Sequence, residues 1–403
     1  MRLLHTVNLT LHEFIDTQLP AEGYSILSHR WRDNEVSYQD FVRGQKRIGE
    51  GWAKIVSFCK FAAARGNSYV WIDTCCIDKR SSAELTEALN SMWQWYREAN
   101  QCYAYLFDLP PWIIDLPAAK SSHPKVHKAL RQSQWFTRAW TLQELLAPRK
   151  LWILSSDWRV LARRDGNLAP ALSKITGIAT EYLTGVKNVH EASIAMRMSW
   201  AARRQATVVE DTAYSLLGLF DVNMPLLYGE RKKAFMRLQR EIIAKSDDES
   251  IFAWTSKHEL YGGLLAPWPS YFETCGDITT LNTPPGQRLH YQLSNKGVEL
   301  SVPQYIRDGN ILPVESFPIR ERDLRGPRSY VPRFNLVPAE EKRTKEVQLA
   351  CTRSSRSGKP LVIVLLRVGS TWERICQTLK ESDYPIRRHE YQATLFYIAQ
   401  GGM

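Results

Sequence analysis

The chain has 403 residues, 44% hydrophobic and 24% charged. That length supports a sizeable core divided among two or three domains, and the ordinary charged share excludes a disordered polymer. The net charge is +11, spread along the chain with a denser basic share from Arg320 to Arg367. A diffuse positive balance favours acidic partners without identifying one.

The first fourteen residues, MRLLHTVNLTLHEF, are too polar for a signal peptide and too poor in Arg and Ser for a transit peptide. YSILS, Tyr24 to Ser28, is a short apolar strand. From Gly51 to Ala64, Trp52, Ile55, Cys59, Ala62 and Ala63 recur at helical spacing. YVWIDTC, Tyr69 to Cys75, is β-branched and aromatic and reads as a buried strand. SSAE forms a capping box in which Ser81 caps and Glu84 reaches back. The helix behind it carries Leu85, Leu89, Met92, Trp93 and Tyr96 on one side. CYAYLFDL, Cys102 to Leu109, is a third strand, followed by a proline-rich loop. RAWTLQELLAP, Arg138 to Pro148, is a helix, and KLWILSSDW, Lys150 to Trp158, a fourth strand.

This alternation predicts a parallel sheet covered by helices, with ligands bound beyond the carboxyl ends of its strands. From Leu168 to Lys245 the pattern is helical, in SIAMRMSWAARR, VEDTAYSLLGLF and RKKAFMRLQREII. After Trp254, Gly and Pro rise and short β-like runs follow: HYQLS, GVELSVP, KPLVIVLLRV and ATLFYIA. A polar Arg-rich loop is expected around Arg320–Arg328.

The seven cysteines, at positions 59, 75, 76, 102, 275, 351 and 376, form no CxxC pair. Their odd number and the absence of a secretory leader point to reduced thiols and a cytoplasmic protein. The apolar run Leu361 to Leu366 is far short of the roughly 20 residues a membrane span needs. No phosphate loop of the GxxxxGK[ST] type, no HExxH and no GxSxG occurs. Cys75 and Cys76 are adjacent without a distant partner pair, which reads as packing and not as metal ligation.

Four clusters carry polar chemistry. SHRW, Ser28 to Trp31, is either a polar turn or a strand-end loop facing a ligand. In WIDTCCID, Asp73 either caps a turn or binds a sugar hydroxyl, while Asp78 caps the next helix. Asp108 makes a turn before Pro110. Helical spacing places Trp140 and Glu144 on one face, with Glu144 in the last turn before Pro148. A carboxylate there opposes the helix dipole. Either it is solvated or paired with Arg149, or its charge is kept for chemistry.

Four blocks, YSILSHRW, YVWIDTCCIDK, SSAELTEALNSMWQWYREANQCYAYL and WFTRAWTLQELLAP, together resemble the fungal HET (heterokaryon incompatibility) domain family. The likeness continues through RMSWAARRQATVVEDTAYSLLGLFDVNMPLLYGE, so it covers roughly Met1 to Trp254, departing at Arg32 where the family usually has Gly. The resemblance implies a cell-death effector of vegetative incompatibility. HET domains also resemble TIR domains, which have a flavodoxin-like parallel sheet. In catalytic TIR domains a W-x-x-x-E element carries the glutamate that cleaves NAD, and Trp140 and Glu144 match it here.

The implied organisation is a TIR-like α/β HET domain at 1–165, a helical extension at 166–255 and a smaller β-rich domain at 256–403. Glu144 is the implied catalytic residue, with Ser28, His29, Trp31, Asp73, Arg138 and Trp140 lining the site. Trp140 or Trp31 could stack on a base and Arg138 could meet a pyrophosphate, although Trp140 could equally pack in the core and Arg138 lie at the surface. NAD is the expected substrate, and no cofactor or metal is required. Expected partners are further copies of the chain on activation and an incompatibility or NLR-type protein, not nucleic acid. The alternative is a non-enzymatic signalling module that triggers death through partners.

Overall fold

The computed structural model describes residues 1–15, 18–116, 123–256, 261–281, 290–294, 297–302, 306–307, 310–311, 344–349, 351–354, 361–368, 371–381 and 394–398. The chain forms two compact units: Met1–Glu191 with Arg203–Ala234, and Ala192–Ala202 with Phe235–Met403. Residues 166–255 thus contribute to both.

The first unit is built on seven strands: β1 (Arg2–His5), β2 (Leu11–Glu13), β3 (Ser25–His29), β4 (Tyr69–Trp71), β5 (Gln101–Tyr105), β6 (Leu151–Leu154) and β7 (Val160–Arg163). Their order is β2-β1-β4-β3-β5-β6-β7. β3 pairs in parallel with β4 and with β5, and β5 in parallel with β6. β1 and β2 on one edge and β7 on the other are antiparallel. Counting only the parallel strands, the second lies beside the first and the third and fourth follow, which is the flavodoxin-type doubly wound order. The strand order reverses between β3 and β5, which makes the carboxyl end of β3 the place such sheets favour for ligands.

Sequence accounts for this core directly. Every residue of β3 is buried, as an inner parallel strand covered on both faces requires. Helices α1 (Tyr38–Val42), α2 (Glu50–Ala63), α3 (Ser82–Glu98), α4 (Pro124–Gln132) and α5 (Thr141–Leu146) belong to the same unit. α2 buries Ile55, Phe58, Cys59, Phe61 and Ala62, and α3 buries Ala88, Leu89, Met92, Trp95 and Tyr96. Ser81 caps α3 by accepting from the Glu84 amide at 3.3 Å. The expected reciprocal half of that capping box is absent. Glu84 instead accepts from the Asp78 amide at 2.7 Å and from Arg2 Nη1 at 2.8 Å. The Arg2 guanidinium is the stronger partner for a carboxylate, and it ties β1 to α3.

The six cysteines with described side chains are buried and free. Among the described residues no group of three or more His, Cys, Asp or Glu is placed to hold a metal ion. No helix there is long and apolar enough to cross a membrane.

Beyond β7 the first unit adds α6 (Ala169–Thr176) and α7 (Thr180–Thr184); α8 (Ile194–Ala201) belongs to the second unit. The run VEDTAYSLLGLF is not one helix but two single turns, α9 (Asp211–Tyr214) and α10 (Leu217–Phe220). α10 lies so close to α3 that a Cβ on Gly218 would sit 2.1 Å from Trp93 Cβ.

In the second unit, α8 receives its first turn from side chains: Asp248 accepts from the Ile194 amide at 2.7 Å and Ser250 from the Ala195 amide at 3.0 Å. The unit also holds α11 (Lys233–Lys245) and a sheet ordered His290–Ser294, Gly297–Val302, Thr394–Ile398, Thr371–Glu381, Leu361–Val368 and Thr344–Leu349. The four β-like runs expected after Trp254 all supply strands of this sheet. The Arg-rich loop at Arg320–Arg328 lies outside the described residues.

Gly218→Ala is expected to destabilise the first unit by about 1–3 kcal/mol, since the added methyl must displace α10 from α3. A lowered urea midpoint with little change in the slope of the transition is the measurement that checks it.

Candidate functional site

The site grows from the last two residues of β3. Ser28 and His29 point from the carboxyl end of the inner strand, and both are buried. Ser28 Oγ donates to Glu144 Oε2 at 2.5 Å, and Trp135 Nε1 donates to Ser28 Oγ at 2.8 Å. The single proton of the serine hydroxyl is therefore aimed at the carboxyl group, because its oxygen is already taken by the indole N–H.

Trp135 sits in a 3-10 turn, Gln134–Thr137, just before α5. Asp108 holds that turn by accepting from Ser133 Oγ at 2.7 Å and from the Gln134 amide at 2.8 Å. Asp108 therefore anchors the segment that carries Trp135. Thr141 Oγ1 then donates to the Trp135 carbonyl at 2.6 Å, joining the turn to the start of α5.

Glu144 is only 6% exposed. It is neither solvated nor paired with Arg149, which is exposed; its hydrogen bond runs to the strand end. α5 spans six residues, under two turns, so burial outweighs any helix dipole in setting the carboxyl's behaviour. Burial pushes the Glu144 pKa up to about 8, the nearby Asp73 pushes the same way, and the Ser28 hydrogen bond, Arg138 and Arg204 pull against it. A proton is thus retained by most molecules at neutral pH.

A second cluster sits beside the first. Asp73 follows β4 by two residues, and its Oδ2 accepts from Trp31 Nε1 at 2.6 Å. The Lys79 ammonium lies 3.2 Å from the centre of the Trp31 ring. His29 Nε2 is 3.6 Å from Asp73 Oδ1, beyond hydrogen-bonding distance. Burial, with Lys54 and Lys79 adding to it, holds the His29 pKa well below its ordinary value, so the ring is neutral. Burial likewise raises Asp73 against the pull of Lys79 and the Trp31 hydrogen bond.

Trp140 and Glu144 do not act as one face. The Trp140 indole donates to Asp211 Oδ2 at 3.0 Å, and Tyr228 donates to Asp211 Oδ1 at 3.0 Å. Arg138 is half-buried and donates to Thr207 at 2.6 Å. Arg204 donates to the Arg138 carbonyl at 2.9 Å and to Thr141 Oγ1 at 2.8 Å, pinning the entry to α5. Arg138 still acts on both Glu144 and Asp73 through its charge, and Arg30 acts on Arg138. The structure therefore joins Ser28 to Glu144 and Trp31 to Asp73, leaves His29 beside Asp73, and turns Trp140 towards Asp211.

Sequence reasoning missed Trp135, Lys79, Arg204 and Asp211. Trp135 carried one usable signal, an indole inside a block that otherwise reads as a helix approach. Asp211 carried none, since it lies 71 residues from Trp140.

An open groove of about 720 Å³ lies at the opposite, amino end of the strands, where Asn67, Gln101 and Lys150 line it. None of the site residues named from the sequence is part of its lining.

The family model described as heterokaryon incompatibility protein (HET) matches residues 24–109. Ser28, His29, Trp31 and Asp73 fall inside the matched stretch, and Trp135 and Glu144 beyond it. The chain is similar to the vegetative incompatibility protein HET-E-1 of Podospora anserina, 42% identical over 227 residues. The match takes in 56% of this chain but only 16% of the relative's length. No solved structure matches the chain. These matches show that the chain carries a heterokaryon incompatibility (HET) domain, and that the end of β3 and the Asp73 loop belong to it.

Proposed function

We propose that the chain is a cytoplasmic cell-death effector of vegetative incompatibility whose first unit hydrolyses NAD at the nicotinamide–ribose bond when copies self-associate. The observation that carries this reading is the Ser28–Glu144 hydrogen bond at the strand-order switch. It sets one buried carboxyl group where a doubly wound sheet takes its ligands. A TIR-like geometry and an incompatibility or NLR-type partner that triggers assembly belong to the same proposal.

The chemistry asks for one carboxylate. As the C–N bond breaks, its electron pair leaves with nicotinamide, which departs neutral. Positive charge develops on the ribose, as in glycoside hydrolysis. Ionised Glu144 stabilises that charge, Ser28 holds the carboxylate in place, and Arg30 and Arg138 suit the pyrophosphate. Water then adds to the sugar to give ADP-ribose and a proton. In the present state Glu144 is covered, so self-association is the step that exposes it.

That same covering favours a second reading, a signalling module that recruits partners and performs no chemistry. Purified protein, clustered through a terminal polyhistidine tag on nickel-bearing vesicles, separates the two when incubated with NAD. The enzymatic reading expects nicotinamide release that Glu144→Gln lowers by at least about a hundredfold, with loss of killing in cells. A folded Glu144→Gln that kills as the parent does, or NAD left intact by the clustered parent, sinks it.

Two pH effects follow from the raised pKa. The active form is the ionised one, so cleavage by the clustered protein should climb with pH and level off below about 8, because exposure relieves part of the burial that raises the group. Stability should move the other way. Between the ordinary value of 4.5 and about 8, the unfolded chain has released a proton that the folded chain keeps. The stabilisation present below 4.5 is therefore lost as pH rises through about 8. Glu144→Gln should remove this contribution, so that the variant's advantage in thermal midpoint grows across that window and then stays constant. An advantage independent of pH would contradict the assignment.

A further inference from the structure

Several buried polar atoms at the ends of β3 and β4 have no hydrogen-bond partner among the described residues. They are both ring nitrogens of His29, Oδ1 of Asp73, Oγ1 of Thr74 and Nε of Arg30. Folded proteins pair the large majority of such groups, so a cluster on two adjacent strand ends calls for explanation. The members do not satisfy one another. His29 Nε2 stands 3.6 Å from Asp73 Oδ1, while Trp31 occupies the other carboxylate oxygen. The Asp73 side chain keeps 22% of its surface exposed, but Oδ1 and both His29 ring nitrogens are covered, so a ligand reaches them only when self-association uncovers the site.

The chemistry of the gap is restrictive. An anion would face the Asp73 carboxylate, and a small cation would face Lys54 and Lys79, whose charges both act on this pair. A neutral group that donates and accepts at once fits it. Neutral His29 offers one N–H and one bare nitrogen, and Asp73 Oδ1 only accepts. Asp73 acts on Glu144 through its charge, which sets a sugar held here in the neighbourhood of that carboxyl group.

We infer that His29 and Asp73 bind the 2′,3′-diol of the ribose whose bond to nicotinamide is broken, one hydroxyl donating to Asp73 Oδ1 and accepting from the His29 N–H. This rests on the NAD-cleaving reading and assigns the specificity of the same site. It makes Asp73 and His29 the residues that distinguish ribose from deoxyribose, with Glu144 left to the charge.

The test is steady-state cleavage by the vesicle-clustered full chain of NAD and of its analogue lacking the 2′-hydroxyl on the nicotinamide ribose. The parent should show a KM about tenfold higher for the analogue, the size of one lost hydrogen bond to a charged group. In Asp73→Asn the amide oxygen must face the Trp31 N–H, which leaves a donor where Oδ1 accepted. KM for NAD should then rise about tenfold, kcat should stay within about threefold, and the penalty for the analogue should vanish. His29→Phe is a second variant in case the first is unstable, and it should shrink the same penalty. An unchanged KM for NAD, or an analogue penalty persisting in both variants, overturns the diol assignment while NAD cleavage stands. Absence of any cleavage by the parent removes the enzymatic reading and this inference with it.

Discussion

The arrangement of the first unit turns on one relay of two hydrogen bonds, Trp135 Nε1 to Ser28 Oγ and Ser28 Oγ to Glu144 Oε2. A buried carboxyl group with no partner would carry a desolvation penalty large enough to break a marginal fold. The proton that Glu144 keeps avoids most of that penalty, while the relay gives the neutral group a partner and sets geometry as well. It locks the end of β3, the 3-10 turn and α5 into one register, because the serine oxygen and its proton each have one fixed direction. Asp108, Thr141 and Arg204 secure the pieces from outside. The result is a short helix whose three leucines are buried while its carboxyl group meets the sheet end.

Much of the sheet was legible because inner parallel strands are written as dense apolar runs. YVWIDTC and KLWILSSDW each contain the strand expected of them, and YSILS and CYAYLFDL each miss theirs by one residue at an end. The edges were not legible. β2 has three residues and β7 four, too few for a two-residue period to stand out from loop sequence. VEDTAYSLLGLF misled for a different reason: its pattern is helical, but Ser215 and Leu216 break it where α10 approaches Trp93. Close packing overrode local preference there.

The site divides in the same way. Ser28, His29, Asp73 and Glu144 stood out because polar residues directly after apolar strands, or inside an apolar helix, need a reason. Their pairing could not be read, since Ser28 and Glu144 lie 116 residues apart. The W-x-x-x-E spacing suggested that Trp140 and Glu144 work together. Helical spacing puts two residues on one side of a helix but does not fix where each side chain ends, and Asp211 claims the indole.

The short edge strands have a consequence for how copies could gather. An open sheet usually invites another chain to add a strand, since its border exposes unpaired amides and carbonyls. Here one border is the three-residue β2, with His12 and Glu13 on it. The other is the four-residue β7, which ends at Arg163 beside Asp165. Neither offers enough backbone for a ladder of useful length. A filament grown by stitching sheets of the first unit together is therefore disfavoured, and contact between copies of that unit falls to side-chain surfaces, where single charge reversals can make or break it.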